Sequence, residues 1–267
     1  MEDLTVHAIE AATKLGAEHA EARIVYTRQE HLETKNAKVA HLARDETLGI
    51  GVRVLLEGAW GFAGTGGDLT PSLVEAAAKR AVNVARASKR VSLSPVRLAP
   101  EPTHVDTWLT PITVDPFTVP LDDKLDLATR CDESMMRVAG ITVARTRLYG
   151  LSEHIWFASS EGSNIEQTLF ACGGGIEATA TSSDDVQRRS YPQSWGQYYS
   201  GGYEVVRDME LLDHAEPTAR EAVELLTADE CPTLRCPVII GGSQLALQIH
   251  ESVGHPVELD RVLGLEA

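Results

Sequence analysis

Apolar and polar positions alternate between two periods along this chain, and the switches mark its elements. From Leu4 to Leu15, the residues Leu4, Ala8, Ala11, Ala12 and Leu15 fall on one stripe, which predicts a helix closed by Gly16. The following stretch predicts strands. Ala22–Tyr26 alternates, a turn falls at Asn36–Ala37, and "LGIGVRVLLEGAWGFAGT" reads as a hairpin around Glu57–Gly58. "DLTPSLVEAAAKRAVNVARASKR" returns to the helical period. Leu69 or Thr70 begins it, Pro71 sits in its first turn, and Val74, Ala77, Ala78, Ala81, Val82 and Ala85 form a small-residue face.

Pro100, Pro102, Pro111, Pro116 and Pro120 then interrupt any period and predict an extended linker, with a domain boundary near residue 103. "LDDKLDLATRCDESMMRVAG" reads as a third helix. After Gly140, alternation predicts an antiparallel meander with a hairpin turn in "SSEGSNIEQ". Gly173–Gly175 lies between strand patterns and reads as a bend or bulge, since a phosphate loop would need a Lys-Ser/Thr signature. "MELLDHAEPTAREAVELLTA" forms a further helix. "PVII" then reads as a short buried strand, Gly241–Gly242 as a turn, and Ser243 as the cap of a last helix. Strands grouped between isolated helices make the fold class α+β.

Composition narrows the function without naming it. The 267 residues carry a formal charge of −15, which disfavours direct contact with a phosphate backbone. No apolar run approaches the roughly 20 residues needed to span a bilayer, and the first residues lack a secretory pattern. The four cysteines, Cys131, Cys172, Cys231 and Cys236, are too few for a disulfide framework. A reducing cytoplasm is the expected compartment. Cys231 and Cys236 read as buried or inert thiols ahead of a metal pair. The other seven histidines lack ligand spacing, and Trp60, Trp156 and Trp195 read as packing at strand faces or interfaces rather than binding a cofactor.

Chemistry concentrates in "LALQIHESVGHPVEL". Two imidazoles can hold a divalent ion, and a glutamate beside the first can serve as general base. The usual spacing of four sets the rings about 40° apart around an α-helix; the spacing of five between His250 and His255 sets them about 140° apart. They share a metal only if the helix widens into a π-bulge or unwinds at Gly254. Pro256 then ends or kinks the helix. The other reading is an apolar helix bearing two unrelated histidines.

"IHESVGHPVELDRVLG" resembles the His-Glu-x-x-x-His signature of the TldD branch of the TldD/PmbA family. "GIGVRVLLEGAWGFA" is similar to that family's N-terminal module. The PmbA (TldE) branch lacks the signature. The resemblance implies a zinc-dependent metallopeptidase in which His250 and His255 hold Zn2+ and Glu251 is the general base or acid. It would act on unfolded or extended peptides, either with a PmbA/TldE-type partner subunit or as a homodimer. The family's third ligand is a cysteine far downstream, and no cysteine follows His255 here. Glu258 reads as a solvated charge, or as a hydrogen-bond partner of a ligand imidazole, ahead of a third ligand.

The resulting expectation is two helix-plus-antiparallel-sheet modules, residues 1–102 and 121–230, joined by a Pro-rich linker at 103–120. The beginning of a truncated catalytic domain follows at 231–267. The alternative function is a catalytically incomplete fragment that serves subunit assembly or peptide binding. A weaker third reading is control of a DNA enzyme by protein contact.

Overall fold

The computed structural model describes residues 1–92, 94–193 and 195–264. The chain runs α1 (Glu2–Lys14), β1 (His19–Lys35), β2 (Lys38–Leu56), β3 (Ala59–Gly66), α2 (Pro71–Ser88), β4 (Val105–Leu109) and α3 (Leu121–Met136). It continues through β5 (Ile141–Ser159), β6 (Asn164–Thr181), β7 (Val186–Tyr191), β8 (Gln197–Ser200), α4 (Glu204–Asp208) and α5 (Leu211–Leu225). It ends in α6 (Gly242–Ile249), a π turn (His250–Gly254), a 3-10 turn (His255–Val257) and α7 (Leu259–Val262). Helices packed on a largely antiparallel sheet make the fold α+β.

One sheet runs through the body in the order β3-β2-β1-β5-β6-β4, with β7 and β8 also on β6. The even-numbered positions of β1, β2 and β5 face the helices. Ala20, Ala22 and Ile24 of β1, with Val52 and Val54 of β2, meet Ala8 and Ala12 of α1 and the small-residue face of α2. Further along the same face, Leu32, Ala144, Leu148, Ile176 and Ala178 meet Cys131 and Met135 of α3 and Ala215, Ala219 and Ala222 of α5. The sheet thus has two successive cores on one side. The opposite face carries the odd-numbered side chains of β1 and β5.

Both tight hairpins fall where the pattern puts them. Asn36 and Ala37 have φ of 51° and 60°, and Glu57 and Gly58 have 49° and 74°, the left-handed pairs of a two-residue hairpin. Alanine pays for that conformation, and outside contacts hold it. The N–H of Ala37 donates to buried Asp132 at 3.0 Å, and the amide oxygen of Asn36 accepts from Ala144 N–H at 2.8 Å. In α2, Thr70 caps the helix by accepting from Leu73 N–H, and Pro71 is its first residue.

Four sequence expectations change. The 103–120 segment is not wholly linker: Val105–Leu109 lies parallel to Asn164–Thr168, because its prolines flank that run and leave its N–H groups free to pair. Gly173–Gly175 is neither bend nor bulge, since β6 keeps register with Arg147–Tyr149 there. Instead, a Cβ at Gly173 would overlap Gln197, and one at Gly175 would overlap Gly196. The glycines let Gly196 and the start of β8 lie against the sheet. "PVII" forms no strand. Val238 and Ile239 are exposed, and no strand among the described residues pairs with them. Ser243 makes no cap; α6 starts from Gly241 without a side-chain cap.

Gly61 lets β3 lie close against α2, where a Cβ would overlap the Ala81 carbonyl and the Ala85 backbone. Gly61→Ala should lose about 2–4 kcal/mol of stability in urea denaturation, an overpacking cost. Gly241→Ala, in open space at φ −63°, should stay within about 0.5 kcal/mol.

Candidate metal centre

The helix that leads into the histidines solves the five-residue spacing by changing its pitch. α6 is an ordinary α-helix through Ile249. At His250 the bonding switches, and the N–H of His255 donates to the carbonyl of His250. Such an i→i+5 turn takes in roughly one residue more than an α turn. His255 therefore lands where a residue four along would stand on an α-helix. Gln248 donates to Ser252 Oγ at 2.6 Å beside the wide turn. Gly254 ends the turn at φ −60° and ψ −67°, and a Cβ there would meet only the Ile249 carbonyl oxygen, at 3.9 Å. The widening therefore does not draw on glycine's left-handed freedom. Pro256 follows inside the 3-10 turn, where a missing N–H is tolerated.

The two rings meet. Nε2 of His250 and Nε2 of His255 are 2.9 Å apart, with the planes nearly perpendicular at 88°. Glu251 completes a group whose donor atoms all lie within 4.8 Å of one another. Among the described residues it is the one such group of three metal-ligating side chains. Glu258 sits 2.9 Å from Nδ1 of His255, and its other oxygen faces Arg261 Nε at 3.3 Å. A carboxylate accepts only from a protonated ring nitrogen, so Glu258 holds the proton of His255 on Nδ1. In the neutral ring this leaves a lone pair on Nε2, directed at His250.

The donor set fits a divalent ion of intermediate softness. Two imidazoles and a neighbouring carboxylate suit zinc and its first-row neighbours. The site is open: His250 and Glu251 are exposed and His255 is partly covered. Neither Cys231 nor Cys236 belongs to the group, and both are exposed, which removes the buried half of the buried-or-inert expectation; the buried cysteines are Cys131 and Cys172. Burial pushes the Cys131 thiol up to about 12 and the Cys172 thiol up to about 11, so neither offers a ready thiolate.

Several other histidines serve other contacts. His19 is held between Glu161 and Glu21, and His154 stacks on Trp156. Trp60 packs edge-on to His19.

Residues 20–87 match the PmbA/TldA metallopeptidase domain 1, and residues 114–229 match the PmbA/TldA metallopeptidase central domain. This chain belongs to the PmbA/TldD family. A metalloprotease of Methanocaldococcus jannaschii is 26% identical over 264 residues, covering 97% of this chain and 56% of the relative. A metalloprotease of Synechocystis is 27% identical over 248 residues, covering 91% and 49%. The chain thus spans about half the length of the curated relatives it matches. Among solved structures, a candidate modulator of a DNA gyrase from Thermotoga maritima superposes with a TM-score of 0.64 at 14% identity, covering 86% of this chain and 50% of that one. TldE from Thermococcus kodakarensis gives 0.54 at 14% identity, covering 83% and 46%. These two likenesses bear on the fold. No helix among the described residues is long and apolar enough to cross a membrane.

Glu258→Gln should weaken divalent-metal binding roughly 10–100-fold, because the amide no longer holds the Nδ1 proton of His255 as firmly. Competition against a chromophoric chelator measures it, with circular dichroism confirming unchanged helix content.

Proposed function

We propose that this chain carries the zinc-binding motif of a TldD-type peptidase that hydrolyses unfolded or extended peptides. The observation that supports this reading is the 2.9 Å approach of His250 and His255 through a π turn, with Glu251 beside them. Unrelated histidines on an α-helix would point about 140° apart. His250 and His255 would hold the ion through Nε2. A bound zinc ion supplies Lewis acidity toward the scissile carbonyl and toward water. Glu251 takes the proton from the attacking water on its carboxylate and returns it to the leaving amine. Glu258 keeps His255 oriented from the far side of its ring.

The assembly belongs to the same proposal. Leu247, Ile249, Val253, Val257, Leu259, Val262 and Leu263 are all exposed around the histidines. So many apolar side chains on one short stretch call for a cover. We assign that cover to further catalytic-domain structure and to a TldE-type or identical partner subunit, in the cytoplasm. The same exposure supports the second reading, a peptide-binding or assembly module that does not hydrolyse.

Zinc content separates the two. After dialysis against a weak chelator, the chain should hold close to one zinc per molecule, and His250→Ala should hold none. Glu251→Gln should keep its zinc and lose at least about 100-fold in hydrolysis of an unfolded protein substrate. Zinc-free protein before and after substitution, with no hydrolysis, favours the assembly module.

A further inference from the structure

The sheet face turned away from the helices carries a charged group that the metal centre does not use. Glu33 on β1, Arg145 and Arg147 on β5, Glu177 on β6 and Arg188 on β7 all stand at outward positions there. Register sets Glu33 beside Arg147 and Arg145 beside Glu177. Arg188 pairs with Thr179, the next outward position of β6 after Glu177. Trp195 overhangs them, its ring centroid 5.0 Å from the guanidinium of Arg147 and 5.9 Å from that of Arg188. The close approach of Gly196 to Gly175 brings Trp195 there.

The charges inside this group do not close. Glu33 accepts from Arg147 Nε at 3.1 Å and faces Arg145 Nη1 at 3.5 Å. The Nε–H of Arg145 is buried with no hydrogen-bond partner among the described residues. Glu177 is 7% exposed, and among the described residues its carboxyl makes no hydrogen bond or ion pair. Burial pushes that carboxyl up, against the pull of Arg188, Arg145 and Arg147. Arg188 makes no hydrogen bond or ion pair to a carboxylate among the described residues, and its guanidinium lies over the Trp195 ring. Three guanidinium groups therefore face two carboxylates, and Lys35 adds another cation across from Arg145. This surplus stands out on a chain of net charge −15.

We propose that this group is a recognition site for a peptide carboxylate, a C-terminus or an acidic side chain. The choice of a peptide rests on the function proposed above; the choice of a carboxylate rests on the site. A carboxylate is planar, carries one charge and offers two acceptor oxygens, which suits guanidinium forks. Arg188 and the orphaned Nε–H of Arg145 supply donors. The partly exposed ring of Trp195 gives the neighbouring ligand side chain an apolar surface.

The test uses this 15N-labelled chain without added metal, so that its outcome is independent of hydrolysis. N-acetyl-trialanine with a free C-terminal carboxylate is titrated, then its C-terminal amide, then inorganic phosphate. The free acid should shift the Arg145 and Arg188 Nε–H and Trp195 indole N–H signals saturably, and the amide should bind at least 10-fold more weakly. Arg188→Gln, an exposed site that leaves the fold intact, should weaken the acid at least 5-fold. Arg23→Gln, an exposed arginine elsewhere on the same face, should leave binding unchanged. Equal binding of acid and amide, no response to either, or equal losses in both variants would overturn the proposal. Phosphate binding without a response to the free acid would overturn the carboxylate assignment.

Discussion

β1 is hydrogen-bonded along both edges, to β2 on one side and to β5 on the other, over nearly its whole length. This double pairing turns two stretches that lie far apart in sequence into one sheet. Because side chains alternate strictly along an extended strand, it also makes them share an inward face. Ile24 and Leu32 are eight residues apart on the same side of β1, yet one belongs to the core beneath α1 and α2 and the other to the core beneath α3 and α5. A one-residue slip in either ladder would turn both sets outward together.

Buried charge reinforces the junction. Glu30 of β1 and Lys124 of α3 are 4% and 2% exposed and paired directly. Lys124 also donates to the Pro116 carbonyl at 2.6 Å, and Arg44 of β2 reaches the second oxygen of Glu30 at 2.5 Å. The arrangement ties a strand, a helix and the proline-rich segment to one carboxylate. Ion pairs of this kind add little net stability over apolar packing, but breaking one leaves a buried charge unmatched. The pair therefore acts mainly to set how the helix, the strands and that segment meet.

The His250–His255 segment, the candidate metal site, stands apart from this body in its construction. No residue after Ala222 is buried among those described. Its geometry is local, set by a single i→i+5 turn and one carboxylate three residues past the second histidine. A site built within one short segment keeps its ligand spacing independently of the sheet. The open sheet face is the opposite case, since its arginines meet only because four strands are in register.

What the sequence determined by itself is what neighbours along the chain can enforce. The hairpins at Asn36–Ala37 and Glu57–Gly58, the start of α2 beside Pro71 and its small-residue face depend on residues a few positions apart, so their pattern was readable. The histidine spacing likewise showed that an α-helix would not serve. It did not choose between a widened turn and two unrelated rings, because backbone hydrogen bonding decides that. Only the tertiary structure decided that Val105–Leu109 is a strand, since its partner lies at Asn164–Thr168. The same holds for Gly173–Gly175, whose small size answers to Gly196–Tyr198, and for "PVII", an apolar run without a strand to pair with. A strand is a relation between two segments, and a run of residues states only one side of it.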